Sequence, residues 1–173
     1  MDLLDLEGQQ LYYDEPMPEE VSRLIAQAAS LYGSGKEEAL LLRANFIAPN
    51  NLSVLVALYR CYFYQHRLED AQRVAQRALT VVAEQVGFPD DWRLLNENEL
   101  AHAVFKSMGL VRFYMSTLKA AAYLYLRLGD IKEGRERLEK VAELDPTDHF
   151  GARALLDMLA NSKTARELEA IAN

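Results

Sequence analysis

The sequence predicts an all-α protein, and three observations lead to this fold class. From Val21 onward, apolar residues recur every three or four positions, as on one face of a helix, and no segment sustains the two-residue alternation of a strand. These segments are rich in Ala, Leu, Glu, Gln and Arg, which favour helices. Two long stretches also align with each other without a gap. Together these features predict a solenoid of about three helix pairs, with an inserted helix and C-terminal capping helices.

The composition is that of one soluble domain over residues 21–173. Of the 173 residues 50% are hydrophobic, and no run approaches the roughly 18 apolar residues of a membrane span. The first ten residues include acids where a secretory signal has a basic region, so we expect neither export nor membrane binding. Cys61 is the single cysteine, which rules out an intramolecular disulfide and is typical of a reducing compartment. These features predict a cytoplasmic protein.

The net charge of −7 is concentrated in an acidic leader, residues 1–20. Seven of the 26 acidic residues precede Arg23, the first base, and the other 19 balance the 19 bases of the chain. Such a leader would repel a phosphate backbone, and the rest of the chain has no basic stripe, so we expect no nucleic-acid binding. The leader is a solvated segment, a mask for the protein's own binding surface, or a docking segment for a basic partner. The stretch LYYDEPMP, from Leu11, favours an extended segment lying on the helical body.

The internal repeat is clearest between the stretches that begin at Leu52 and at Met115. Apolar residues of the first fall opposite apolar or small residues of the second over two successive helices. The paired positions, which we predict to lie in the core, are Leu55 with Leu118, Leu58 with Ala121, Tyr59 with Ala122, Tyr62 with Tyr125, Leu68 with Ile131, Ala71 with Gly134 and Ala78 with Val141. An earlier stretch, LYGSGKEEALLLRANFIAPNN, is predicted to belong to another unit with a shorter second helix. The predicted repeats cover residues 21–51, 52–85 and 115–148.

Several residues of the last unit follow a spaced pattern of small, aromatic, turn and proline positions: Ala122, Tyr125, Gly129, Asp130, Ile131, Gly134, Leu138, Asp145 and Pro146. The middle unit shares the pattern through Leu55, Leu58, Tyr62, Leu68, Glu69, Asp70, Ala71 and Ala78. These residues resemble the tetratricopeptide repeat (TPR) family. Tyr59 departs from the family, which usually has a small residue there. The resemblance implies a small bacterial three-repeat protein, a right-handed superhelix in which the first helix of each pair lines a concave groove that holds a partner polypeptide.

Residues 86–114 interrupt the repeats. Turn formers at Gly87 to Asp90 and a cap at Asn96 or Asn98 predict a short extra helix that ends before Gly109. Either Phe88, Trp92 and Phe105 fill the junction between two repeats, or the segment is a lid or docking surface. After the last repeat, residues 149–173 are predicted to form capping helices. Their predicted caps are Thr147 or Asp148 for the first helix and Ser162 or Thr164 for the second.

The resemblance also selects candidate groove residues. On the first helices of the middle and last units, the residues left over from the core positions recur at intervals of three, four and three, which keeps each set on one helical face. They are Ser53, Val56, Arg60 and Phe63, with Tyr64 at the edge, and Ser116, Lys119, Tyr123 and Leu126. An aromatic surface with isolated cations suits an apolar peptide that carries an acid. Helix packing is the alternative for these side chains.

Catalytic chemistry has little support in the sequence. Cys61 and His66 are five residues apart and so cannot share a metal-binding face of a helix. We predict that Cys61 is a buried free thiol. The GSGK stretch at Gly33 to Lys36 is too short for a phosphate-binding loop. The sequence therefore predicts no enzyme, no metal and no cofactor.

These features predict a module that binds another protein or peptide as an adaptor or assembly chaperone. Tyr123, four residues after Lys119, replaces the asparagine of the clamp with which related domains hold chaperone tails, so that clamp is absent. In size and acidity the chain is similar to the bacterial chaperones of type III secretion translocators. LYYDEP and LYRCYFYQHRLEDA are similar to small repeat proteins that accompany nitrogen-fixation genes. Further alternatives are a self-associating scaffold, in which a homodimer covers the groove, and a regulator whose acidic leader blocks it.

Overall fold

The computed structural model describes residues 16–161, and all the regular secondary structure in that range is helical. It contains seven α-helices and one 3-10 helix, and no residue in the described range forms a strand. The α-helices are α1 (Glu19–Ser30), α2 (Glu37–Ile47), α3 (Leu52–Tyr64), α4 (Leu68–Val86), α5 (Glu97–Arg127), α6 (Ile131–Leu144) and α7 (Ala152–Asn161), and the 3-10 helix is Trp92–Leu94. The all-α prediction is confirmed. None of these helices is long and apolar enough to cross a membrane.

Two predicted segments lie wholly or largely outside the described range. Residues 1–15 contain most of the acidic leader, and residues 162–173 contain the second predicted capping helix with its caps Ser162 and Thr164. Helix α1 begins at Glu19, inside the segment assigned to the leader. Glu20 forms an ion pair with Arg43 of α2, so the last two residues of that segment belong to the helical body.

Consecutive helices pack against each other from α1 to α7, and α1 also contacts α3. A single apolar cluster runs through the packed helices. Both members of each predicted core pair are buried or half-buried; the half-buried residues are Leu68, Tyr125 and Ile131. Tyr59 and Tyr62 are buried, which confirms their assignment to the core. The core positions were therefore predicted correctly from the alignment of the two stretches.

The turns between α3 and α4 and between α5 and α6 have the same geometry. The backbone N–H of Arg67 donates to the carbonyl oxygen of Tyr62 at 2.9 Å, and that of Asp130 donates to Tyr125 at the same distance. The residue before each donor, His66 or Gly129, has a positive φ of 59° or 90°. Histidine thus adopts a left-handed conformation at a position where the equivalent turn has glycine.

We expect His66→Gly to raise the free energy of unfolding by about 0.5–1 kcal/mol, because glycine removes the steric cost of the left-handed conformation. Urea denaturation followed by circular dichroism measures the change. The reciprocal variant, Gly129→His, is the matched control and is expected to lower the free energy of unfolding. A lower free energy of unfolding for His66→Gly would show that the histidine side chain stabilises this turn by more than its backbone strain costs.

The inserted segment forms the first part of α5, up to a break at Ser107, where the backbone is non-helical (φ −161°, ψ 104°). Asn96 caps this part through a reciprocal capping box with Glu99, as predicted, whereas Asn98 lies inside the first turn. The prediction of a short helix that ends before Gly109 is therefore confirmed, and the second part of α5 is the first helix of the last repeat. The Ser107 hydroxyl accepts the backbone N–H of Leu110 at 3.2 Å, so it caps the second half of α5 and accounts for the break.

Phe88 and Trp92 are buried, as the packing interpretation of the insertion requires. Phe105 is 91% exposed, so the prediction that it fills the junction is wrong. The buried residue of this stretch is Ala103, which places Phe105 on the opposite side of the helix.

Two aspartates accept backbone hydrogen bonds in the turn before α7. The predicted cap Asp148 accepts the backbone N–H of Arg153 at 3.0 Å, and Asp145 accepts that of Phe150 at 2.8 Å. The other predicted cap, Thr147, donates its hydroxyl to Asp145 instead. Asp148 and Gly151 both have positive φ, which delays the start of α7 to Ala152.

Candidate binding groove

Helices α1, α2 and α3 enclose an open cavity of about 740 Å³. Its volume is in the range of roughly 300–1,000 Å³ that is typical of ligand pockets. The lining is mostly apolar and consists of Ile25, Ala28, Ala29, Tyr32, Glu37, Leu41, Ser53, Val56, Ala57, Arg60, Cys61 and Tyr64. The structure therefore brings four of the predicted groove residues, Ser53, Val56, Arg60 and Tyr64, to one cavity.

Glu37 is the acidic residue of the cavity lining, at the first turn of α2. It is 3% exposed. Its Oε1 atom accepts the backbone N–H of Gly33 and the side-chain amide of Gln65, both at 3.3 Å. A hydrogen bond from the backbone of Glu37 itself, followed by those from Gly33 and Gln65, lowers the pKa of the carboxyl although burial opposes the shift. The cavity thus contains an ionised carboxylate at neutral pH.

Cys61 also lines the cavity and is buried, which confirms the predicted buried free thiol. Burial raises its pKa, and the negative charges of Glu37 and Glu38 raise it further. A thiol with a raised pKa is a poor nucleophile, because the thiolate is the reactive form. Over residues 16–161, no cluster of three or more His, Cys, Asp or Glu side chains has the arrangement of a metal site.

A row of aromatic rings continues from the cavity towards α5. Ring centroids are 5.9 Å apart between Tyr32 and Tyr64, 5.7 Å between Tyr64 and Phe63, and 6.4 Å between Phe63 and Tyr123. Phe63 also stacks on the buried ring of Tyr59 at 5.7 Å. The predicted residues Phe63, Tyr64 and Tyr123 therefore form one surface with Tyr32, across α3, α5 and the turn after α1. We call the cavity and this aromatic row together the groove.

The remaining predicted residues of the last unit make contacts within the chain. Lys119 donates to the carbonyl oxygen of Phe150 at 2.6 Å, and burial lowers its pKa. Leu126 lies against Gly134 of α6, and Ser116 is half-buried without lining the cavity. Lys119 thus connects α5 to the segment before α7, which gives it a structural role in addition to any groove contact.

The chain was compared with known protein families, curated sequences and solved structures. No family model and no solved structure matches it. A curated protein from Azotobacter chroococcum mcd 1, described as an uncharacterized 19.8 kDa protein in the nifW 5′ region, is 44% identical over 160 residues. The match covers 92% of this chain and 89% of that protein. The chain belongs to the family of that protein. We call this family the nifW-region family, and the match extends over almost the whole chain.

Part of the groove in this member of the nifW-region family was missed by the sequence analysis. The residues missed are Ile25, Ala28 and Ala29 of α1, Tyr32 of the turn after α1, Glu37 and Leu41 of α2, and Ala57 and Cys61 of α3. Ile25, Ala29 and Tyr32 are spaced by four and three residues, so the criterion applied to the two later first helices would have selected them in the first unit as well. Glu37 gave no such signal, because an acid in the first turn of a helix is normal on its own.

Proposed function

We propose that this protein is a binding module that holds a partner polypeptide in the groove, as an adaptor or assembly chaperone. The observation that carries the proposal is the open, mostly apolar cavity of about 740 Å³, continued by exposed aromatic rings. Tyrosine supplies a large contact area at low conformational cost and is enriched at sites that dominate binding energy. A cavity of this kind suits side chains of another protein.

The proposal includes a TPR-like solenoid as the architecture. Three features support it: the packing of consecutive helices, the two turns of equal geometry 63 positions apart, and the small residues Ala71 and Gly134 at equivalent buried positions. In this solenoid α1, α3 and α5 are the first helices of the three pairs, and they line the side of the solenoid on which the groove lies. We further propose that the protein acts without catalysis, since the cavity's one thiol is not activated.

The name of the Azotobacter relative supplies a biological context. Its gene lies in the nifW 5′ region. We therefore propose that the partner of this protein belongs to the assembly or maintenance of the nitrogen-fixation machinery. This context favours the nitrogen-fixation alternative over a secretion chaperone.

Substitution of Val56 by glutamate tests the groove, because Val56 lines the cavity and is half-buried. We expect the tagged wild-type chain to retain a specific protein from a lysate of the cells that carry the gene, and Val56→Glu to lose it. With the purified partner, calorimetry should show a dissociation constant at least about tenfold higher, because a charge is placed against apolar contacts.

Two further variants control this experiment. Thr80→Glu adds the same charge at an exposed position of α4 outside the cavity and should bind as the wild type does. Ser53→Tyr fills the cavity without a new charge and should also lose the partner. Circular dichroism shows whether all variants are equally helical. Equal retention by wild type and Val56→Glu would overturn the groove, and recovery of the protein's own chain alone would indicate the self-associating scaffold.

A further inference from the structure

The cavity contains a carboxylate oxygen that has no hydrogen-bond partner among residues 16–161. Both hydrogen bonds that Glu37 receives from Gly33 and Gln65 reach Oε1. Oε2 is buried and accepts none. Leaving a buried acceptor of an ionised group unpaired is costly, and such groups in folded proteins normally have a partner. The geometry therefore points to a donor that comes from outside residues 16–161.

The walls of the cavity limit the kind of donor that fits. Ile25, Leu41, Val56 and Ala57 line the same cavity as Glu37 with apolar surface. A donor on a short polar stem would lose its hydration against these side chains without compensation. Lysine and arginine combine an aliphatic stem with a cationic donor, so both parts find a matching surface.

Two tyrosines add a second site for a cation. Tyr32 is 57% exposed and Tyr64 is 44% exposed, so their rings lie where the cavity meets solvent. Aromatic faces attract ammonium and guanidinium groups, also at exposed positions. A basic side chain entering the cavity would pass these rings before it reaches Glu37.

The net negative charge of the chain also favours a cationic partner. A net charge of −7 raises the local concentration of cationic partners and lowers that of anionic ones. Arg60 also lines the cavity, but it donates no hydrogen bond to Glu37 Oε2. The acidic leader has no Lys or Arg side chain that could pair with this carboxylate.

We propose that the groove recognises a lysine or arginine side chain of the partner, flanked by apolar residues. The cation donates to Glu37 Oε2, and the aliphatic stem packs against Leu41 and Val56. This inference rests on the proposed function and specifies the partner's chemistry. The sequence analysis expected a peptide that carries an acid, and this inference reverses that expectation. Lys119 was one of the two cations expected to bind the acid, but it donates to the Phe150 carbonyl oxygen instead.

Selection from a phage-displayed library of random dodecapeptides on the immobilised full-length protein tests the inference. Selected peptides are expected to contain Lys or Arg next to an aliphatic or aromatic residue. Glu37→Gln keeps the shape of the side chain and removes its charge, and should weaken binding of a selected synthetic peptide at least about tenfold. Glu38→Gln is the matched control, because Glu38 pairs with Arg67 and does not line the cavity; it should bind as the wild type does.

The outcomes separate this inference from the function on which it rests. Selection of acidic or uncharged peptides, or equal affinity of wild type and Glu37→Gln, overturns the basic anchor. If Val56→Glu still abolishes binding of those peptides, the groove itself stands. Failure to select any peptide that wild type binds and Val56→Glu does not would overturn both proposals.

Discussion

Replacing Trp92 by alanine is expected to lower the free energy of unfolding by about 3–5 kcal/mol. Trp92 is 6% exposed and belongs to the 3-10 helix between α4 and α5. The guanidinium groups of Arg93 and Arg137 lie over its ring, with their Cζ atoms 4.3 Å and 4.8 Å from the ring centroid. Alanine would leave a cavity and remove both cation–π contacts.

Arg137 makes the expected loss larger than packing alone would suggest. Its guanidinium is buried and also lies over the ring of Tyr125, 4.4 Å from the centroid. It pairs with Glu133 in the same helix, and Arg93 contacts the same glutamate at 2.6 Å. Trp92 therefore covers the buried guanidinium of Arg137, and its removal would admit water to that group. The same contacts attach the inserted segment to α6.

Urea denaturation followed by circular dichroism is the appropriate measurement, because Trp92 is the single tryptophan and the variant has no tryptophan fluorescence. Leu94→Ala is the control within the same 3-10 helix. Leu94 is 66% exposed, so its truncation should change the free energy of unfolding by less than about 0.5 kcal/mol. Equal effects of the two substitutions would show that the insertion is a loosely attached spacer.

The sequence predicted local features of the fold well, because their causes are local. Asn96 caps α5 since its side chain can reach the next turn from that position, and Glu99 has the spacing that completes the capping box. The core pairs followed from the alignment of two stretches whose apolar periods coincide. A period of three and four residues determines which side of a helix is buried, whatever that helix packs against.

Phe105 shows where prediction from local pattern fails. The apolar character of Phe105 indicated burial, but Ala103 takes the inward position of that turn. Which side of this helix is buried is not determined without the neighbouring helices. The end of the same helix was predicted correctly before Gly109, because its cause is local: the Ser107 hydroxyl caps the segment that follows.

The candidate site was predicted in part for a similar reason. Ser53, Val56, Arg60 and Tyr64 share a face of one helix, and periodicity identifies a face. Glu37 and Lys119 owe their environments to distant parts of the chain: Gln65 for the first and the Phe150 carbonyl for the second. Tertiary packing determines which charged side chains a cavity presents, so charge recognition was the least predictable property of the groove.

Gly134→Val is expected to lower the free energy of unfolding by about 3 kcal/mol, at the upper end of the cost of overpacking. A Cβ atom at Gly134 would come within 2.7 Å of the Leu126 side chain and 2.8 Å of the Ala122 carbonyl oxygen. The carbonyl belongs to the backbone of α5 and cannot rotate away, so α5 and α6 would have to separate. The smaller change, Gly134→Ala, is expected to cost about 1–2 kcal/mol, because better helix propensity offsets part of the clash.

The equivalent position of the middle unit supplies the control. Ala71 is fully buried in α4, which packs against α3. Ala71→Gly should therefore also lower the free energy of unfolding, by about 1 kcal/mol, through lost helix propensity. Alanine would then be preferred at position 71 and glycine at position 134, because α5 and α6 approach each other closely at Gly134. Stabilisation by Gly134→Ala, measured by urea denaturation, would show that α5 and α6 are not in this close contact.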